Sequence, residues 1–289
     1  MEVKNCHLCP NECGADRTNG VGLCHAGEEA RICRIALHPW EEPIISGSHG
    51  SGTVFFSGCS MHCIFCQNYK ISRLYCGRPY SRNDLIDEIK RFEEAGAHNI
   101  NFVNPTHYAH ILYDVLSAYK PTIPVVYNTG GYDKVSTLRI LDGLVDIYLP
   151  DLKYLSPEIA ERYSGRRDYP EVACGAIEEM ARQTGAPILR DGILQRGTVV
   201  RHLVLPGQST EGVRIVEYLA GRYGKEIYLS VMNQYTPCGE LDAFPEINRR
   251  VKPIEYKRVV AAVRRLGITQ CFVQDSESSD ESYIPPFQI

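Results

Sequence analysis

The sequence predicts an α/β fold, a mostly parallel sheet covered by helices. Three observations carry this. Strand-like and helix-like segments alternate some six times after residue 52. The strand-like segments are short and apolar throughout, without the period-2 pattern of a half-solvated antiparallel sheet. With 44% hydrophobic and 23% charged residues over 289 positions, the chain has enough apolar material for a large core. Spacing alone leaves open whether the sheet is barrel-like or an open doubly wound one.

The elements follow in order. Thr53-Val54-Phe55-Phe56 reads as a short buried strand. Ser81-Arg82-Asn83-Asp84 has the form of a capping box, and Leu85, Ile86, Ile89 and Phe92 follow at helical spacing until Gly96. Residues 99–103 read as a strand, with a helix after Thr106; 124–127 is a strand, and 133–141 a helix. A strand at 145–149 precedes Ser156-Pro157-Glu158, a cap and an N1 proline. Helices are expected over 171–183 and 211–220, and strands over 199–205 and 226–232. Pro253 opens a helix ending near Gly267, and 271–273 is a last strand.

Domain organisation follows cysteine density and charge. Nine of the twelve cysteines precede residue 77, in a segment dense in Gly and Pro. We read residues 1–50 as a loop-rich, cysteine-rich N-terminal extension, 51–274 as the core, and 275–289 as a flexible acidic tail. The tail carries Asp275, Glu277, Asp280 and Glu281 without Lys or Arg, so it accounts for the whole net charge of -4. The balanced body argues against nucleic acid as a partner. The longest stretch without Asp, Glu, Lys or Arg, residues 43–69, is too rich in Gly, Ser, His, Asn and Cys for a membrane span. Met1-Glu2-Val3-Lys4-Asn5-Cys6 lacks an apolar leader core, so the expected location is cytoplasmic. In a reducing compartment, clustered cysteines bind metal or do chemistry more often than they form disulfides.

Cys59-Ser60-Met61-His62-Cys63-Ile64-Phe65-Cys66 is the strongest signal. Its C-x3-C-x2-C spacing places three thiolates on one tight loop directly after the first strand. Three thiolates can hold three irons of a cubane cluster and leave the fourth open for chemistry. Common zinc patterns use paired C-x2-C units instead. Upstream, Cys6, Cys9, Cys13 and Cys24 give C-x2-C-x3-C-x10-C. Four soft ligands suit a second iron–sulfur cluster or tetrahedral zinc, or remain metal-free. His7 and His25 can each substitute for one ligand, and Cys33 is a fifth candidate. Cys76, Cys174, Cys238 and Cys271 read as isolated small apolar residues. His38, His49, His98, His107 and His110 show no metal spacing.

The triad motif resembles that of radical S-adenosylmethionine (SAM) enzymes. Gly58-Cys59, Cys6-His7-Leu8-Cys9-Pro10, Glu41-Glu42-Pro43, Asn104-Pro105-Thr106-His107-Tyr108, the stretch from Val145 through Asp151-Leu152-Lys153-Tyr154, and Arg201-His202-Leu203-Val204-Leu205-Pro206-Gly207 are similar to iron–sulfur proteins of the pyruvate formate-lyase activating enzyme-like group. The resemblance implies a partial (β/α)6 TIM-like barrel with its site at the C-terminal strand ends. It implies a [4Fe-4S] cluster on Cys59, Cys63 and Cys66, with SAM chelated by the open iron. Reductive cleavage then gives methionine and a 5′-deoxyadenosyl radical, which abstracts hydrogen from a substrate. It also implies oxygen sensitivity, hence anaerobic handling, and an electron donor such as a flavodoxin or ferredoxin.

The resemblance further assigns cofactor contacts. Asn104 and Thr106 stand where many relatives have a Gly-Gly-Glu segment against the SAM amino group; the alternative for Thr106 is a helix N-cap. Asn128 is placed near the ribose, before Gly130 and Gly131, which otherwise form an ordinary turn. Asp151 and Lys153 match an Asp-x-Lys of glycyl-radical activating enzymes, or else form a structural ion pair. Arg201 is matched to an Arg on the methionyl carboxylate, with His202 either a second contact or a plain strand residue. Gln234 is a candidate for the adenine edge, and Phe65 packs against adenine or the core. Three functions stand: an activase for a glycyl-radical protein, a radical enzyme acting on a small molecule or peptide, and a non-catalytic electron carrier or sensor.

Overall fold

A computed structural model describes residues 1–74 and 76–274. Its strands are β1 (Ala30–His38), β2 (Ser51–Phe56), β3 (Arg78–Tyr80), β4 (Asn99–Val103), β5 (Val125–Thr129), β6 (Ile147–Pro150), β7 (Ile188–Arg190), β8 (Ile193–Leu203), β9 (Tyr228–Met232) and β10 (Cys271–Val273). They form one sheet in the order β10-β9-β8-β6-β5-β4-β2-β1-β3, with β7 paired to β8 alone. From β2 through β4, β5, β6, β8 and β9 to β10 every pairing is parallel. The end strands do not pair with each other, so the expected partial barrel stays open along one side.

The parallel strands explain the missing alternation. β2, β4, β5 and β6 are buried at every position, because both faces are covered. The covering helices are α1 (Pro43–Ser46), α2 (Tyr69–Arg73), α3 (Arg82–Glu94), α4 (Ala109–Ala118), α5 (Val135–Ile140), α6 (Pro157–Ser164), α7 (Tyr169–Thr184), α8 (Ser209–Tyr223) and α9 (Pro253–Arg265). α3 starts where its capping box predicts: Ser81 Oγ accepts from the Asp84 amide and Asp84 accepts from the Ser81 amide. Its Leu85, Ile89 and Phe92 are buried. Ser156 caps α6 through the Ile159 amide, and Gly165 ends it in the left-handed conformation.

Several expectations need correction. β1 lies within the segment expected to be loop-rich. It pairs antiparallel with β2 and β3 and so docks that segment on the sheet. Its half-buried pattern, with Arg31 and Arg34 interleaved, hides the strand from a search for apolar runs. The strand expected at 199–205 starts at Ile193 instead, because the β7–β8 hairpin extends it, and it stops at Leu203. Cys76 is not isolated and Cys33 is not a spare ligand: they form a disulfide. The acidic tail lies outside the described residues. Among the described residues no helix is long and apolar enough to cross a membrane.

Candidate active site

The C-terminal ends of the parallel strands surround a cavity of about 240 Å³. Cys59, Cys63, Phe65 and Cys66 reach it from the loop after β2, Asn104 and Thr106 from the end of β4, and Asn128 from β5. Asp151 and Lys153 follow β6, Arg201 lies on β8, and Gln234 follows β9. One cavity thus gathers all of these sequence candidates, although they span 176 positions of chain. Cys6, Cys9, Cys13 and Cys24 do not line it.

The triad loop is shaped by local backbone geometry. Gly58 sits at φ +84, and a β-carbon there would lie 2.3 Å from the Cys24 carbonyl oxygen. That carbonyl accepts from the Cys59 amide at 3.0 Å, so the N-terminal segment is fastened to the loop. The Met61 amide donates to Cys59 Sγ at 3.4 Å, and Ser164 Oγ donates to Cys63 Sγ at 3.0 Å. Burial pushes the Cys66 thiol up to about 12. Burial also raises Cys63, although the Lys153 ammonium pulls the other way. A metal must therefore displace protons when it binds these sulfurs.

The donor set fits a cubane cluster held at three corners. Among the described residues no fourth cysteine lines the cavity. Cys238 instead turns its thiol to the Cys66 and Phe65 carbonyls, at 3.2 and 3.4 Å. Nor do any three His, Cys, Asp or Glu side chains among the described residues converge as ligands of a single ion. Corners of a four-iron cube stand further apart than the ligands of one ion, so thiols that edge a cavity suit the cube.

Next to the thiols runs a buried line of charge. Lys153 Nζ bonds Asp151 Oδ2 at 2.5 Å, and Arg201 Nε bonds Asp151 Oδ1 at 3.0 Å. Arg201 Nη1 lies 3.3 Å from Glu41 Oε2, and Nη2 donates to Asn128 Oδ1 at 2.6 Å. Asn101 Nδ2 donates to Glu41 Oε1 at 2.9 Å. Burial disfavours the charge on each of these groups, and for Glu41 it prevails: despite Arg201 and Asn101, the carboxyl is held above its ordinary value. For Asp151 it is outweighed by Lys153 and Arg201, which hold the carboxyl below its usual range. For Lys153 it is outweighed by Asp151, so the ammonium is retained. Burial likewise opposes the Arg201 charge, but Asp151, Glu42 and Glu41 hold its pKa above the ordinary value.

The Arg201 fork, matched by resemblance to the methionyl carboxylate, is engaged in the structure by Asp151, Glu41 and Asn128. Glu41, which the sequence marked only as part of a matching stretch, is a member of the site. Its signal was available: an acidic pair, Glu41-Glu42, just before the longest uncharged stretch of the chain.

The remaining candidates divide. Thr106 is not a side-chain cap; its hydroxyl donates to Asp133 Oδ1 at 2.7 Å. Asn104 takes φ +57 and donates to the Gly58 carbonyl at 3.0 Å, tying the β4 end to the triad loop. Phe65 packs between Tyr154 and Tyr235 at 6.5 and 6.1 Å, so it serves the core and the cavity wall together. Gln234 accepts from Gln274 at 3.0 Å through its side chain. His202 is no second contact. Strand alternation turns it away from the cavity, with Nδ1 2.9 Å from the Leu152 carbonyl and burial lowering its pKa. His25 faces the His62 ring at 4.9 Å.

Comparisons with known proteins agree with this geometry. The profile of the Radical SAM superfamily matches residues 53–219. An uncharacterized protein of Methanocaldococcus jannaschii is 30% identical over 279 residues, covering 92% of this chain and 76% of that protein. A second uncharacterized protein of the same organism is 23% identical over 241 residues, covering 76% of this chain and 67% of its own. Among solved structures, Streptococcus suis SuiB bound to S-adenosylmethionine is similar at a TM-score of 0.53 and 14% identity, over 76% of this chain and 49% of that one. SuiB bound to its precursor peptide SuiA gives the same TM-score and identity, with 47% of its chain covered. The chain thus spans about half the length of these SuiB structures, and at that identity the likeness is one of fold. With three thiols edging a cavity at the strand ends and the superfamily profile covering more than half its length, the chain belongs to the radical SAM superfamily.

Proposed function

We propose that this chain cleaves SAM reductively and uses the resulting radical to take hydrogen from a peptide or protein segment. The observation that carries the first half is the triad: three thiols on one loop, at the edge of a cavity to which no further cysteine contributes among the described residues. When bound, the cluster supplies one electron to the SAM sulfonium, which splits into methionine and a 5′-deoxyadenosyl radical. The chain's own residues do the rest. Cys59, Cys63 and Cys66 hold three corners, and Ser164 and the Met61 amide hydrogen-bond to their sulfurs. Asp151 keeps the Lys153 ammonium charged beside the sulfurs, a fixed cation for the carboxylate of an amino-acid-like ligand. Phe65 and the tyrosines behind it exclude water.

The second half is supported by an exposed aromatic on the cavity wall: Trp40, the chain's single tryptophan, is 61% exposed while also lining the cavity. A peptide segment can rest on that ring. SuiB, whose fold is similar, has been solved with a precursor peptide. The narrower reading, activation of a glycyl-radical protein, draws its support from the Asp151–Lys153 match and from the overall resemblance to the activating-enzyme-like group. In either case we place the reaction in the cytoplasm, with a flavodoxin or ferredoxin as donor.

The test is anaerobic incubation of reconstituted, reduced protein with SAM. 5′-Deoxyadenosine and methionine are expected, and Cys63→Ala is expected to abolish both while the barrel stays folded. Continued cleavage by that variant would sink the assignment. An electron-spin doublet on mixing with a candidate partner protein would select the activase reading.

A further inference from the structure

The four most N-terminal cysteines take no part in the cavity. Cys6, Cys9 and Cys24 are buried and Cys13 is half-buried. They ride on two tight turns. In the first, the Glu12 amide donates to the Cys9 carbonyl and the Gly14 amide to the Cys6 carbonyl, both at 3.0 Å. In the second, the His25 amide donates to the Gly22 carbonyl at 2.9 Å. The amides of Asn11 and Ala26, each two residues after a cysteine, face the Cys9 and Cys24 sulfurs. A β-carbon on Gly22 would lie 3.5 Å from both Cys13 Sγ and Cys24 Sγ. Both sulfurs therefore pack against this one glycine.

A second observation is independent of spacing. Arg17 is 1% exposed, the largest of the fully buried side chains. Its guanidinium donates to the carbonyls of Ala26, Gly27 and His107 and reaches Cys6 Sγ at 3.6 Å. None of these bonds ends on a carboxylate. A buried guanidinium without a counter-charge costs several kcal/mol. Four neutral thiols supply no charge, and four bare thiolates repel one another. Four thiolates around a four-iron cube leave a net charge of about -2, which answers the cation. A single zinc ion would carry the same charge, but among the described residues no three such ligands converge on one point.

We propose that Cys6, Cys9, Cys13 and Cys24 ligate a second iron–sulfur cluster at all four corners, with Arg17 as its buried counter-ion. The site stands on its own residues and does not depend on the open-cluster reading of the triad. It is bolted to the triad loop by the Cys59 amide on the Cys24 carbonyl at 3.0 Å and by Asn11 Nδ2 on the Ser60 carbonyl at 2.8 Å.

The test is iron, sulfide and zinc content with Mössbauer spectra on the full chain, purified and reconstituted anaerobically. Wild type is expected to hold about eight iron atoms and the C59A/C63A/C66A variant about four, as cubane cluster iron. In that triple-variant background, Cys13→Ser is expected to lose at least half of the remaining iron with an unchanged far-ultraviolet spectrum. Arg17→Met in the same background is expected to lower retained iron at least twofold. A triad variant without iron, one zinc per chain, or unchanged iron on Cys13→Ser would each overturn the proposal. Equal iron, about four atoms, in wild type and triad variant would remove the triad reading and leave this one standing.

Discussion

Replacing Arg201 with Met tests the line of charge beside the thiols. Methionine fills much of the volume but removes the cation between Asp151, Glu41 and Asn128. The contacts to Asp151 and Glu41 are 3.0 and 3.3 Å. At an effective dielectric near 20, a fully charged pair at these distances is worth roughly 5 kcal/mol gross; Asp151 supplies the larger share, since burial holds the Glu41 carboxyl above its ordinary value. Desolvation of the buried guanidinium opposes its charge and returns much of that gain. Breaking a buried pair nonetheless strands its partners, so the expected net loss is about 3–5 kcal/mol. Against a total stability of about 5–15 kcal/mol this is large. The assay is urea unfolding of the metal-free protein at neutral pH, for wild type, Arg201→Met, Glu41→Gln and the double variant. Glu41→Gln is expected to recover at least about 1 kcal/mol in the Arg201→Met background, because it removes one stranded carboxylate. A single-variant loss below about 1 kcal/mol, or no coupling between the two sites, would refute the picture of a desolvated, mutually dependent network.

Gly58→Ala is expected to destabilise by at least about 1–3 kcal/mol, since φ is +84 and the added carbon meets the Cys24 carbonyl at 2.3 Å; wild-type unfolding midpoints would contradict this. Cys33→Ser is expected to lower the midpoint under oxidising conditions only. The disulfide spans 43 positions, a loop worth roughly 4 kcal/mol, and an equal shift under reducing conditions would exclude the linkage as the cause. Burial lowers the His107 pKa to about 3, against about 6.5 in the unfolded chain. The imidazole is therefore neutral in the fold, and its contribution is complete above pH 6.5 and lost as pH falls toward 3. Within that window stability is expected to drop by up to about 1.4 kcal/mol per pH unit from this group. His107→Gln should flatten the slope measured by thermal denaturation; an unaltered slope would assign the acid lability elsewhere.

The sequence was most legible where chemistry and local geometry coincide. Cys59, Cys63 and Cys66 announce themselves because a cluster loop is contiguous, and Ser81 and Ser156 because caps are written in neighbouring residues. The parallel core was readable because β2, β4, β5 and β6 are buried on both faces. β1 was not, since its pairing depends on β2 and its own residues are only half covered. The Cys33–Cys76 disulfide was hidden for a related reason: nothing near either cysteine marks the other. Arg201 could be placed in the site from its surrounding motif. That its fork is spent on Glu41 could not, because the two meet only after the barrel has curved.

That meeting has a consequence for how the chain is assembled. Glu41 and Arg201 are 160 positions apart, and closing so long a loop costs roughly 4.5 kcal/mol of chain entropy. The interior ion pairs therefore form after the β2 to β6 segment has already collapsed. A nascent polypeptide that has not yet delivered β8 leaves Glu41 and Glu42 hydrated and its cavity unsealed. Ribosome-stalled fragments ending before Arg201 should accordingly be protease-sensitive around residues 39–46, and protection there should appear only when β8 has emerged.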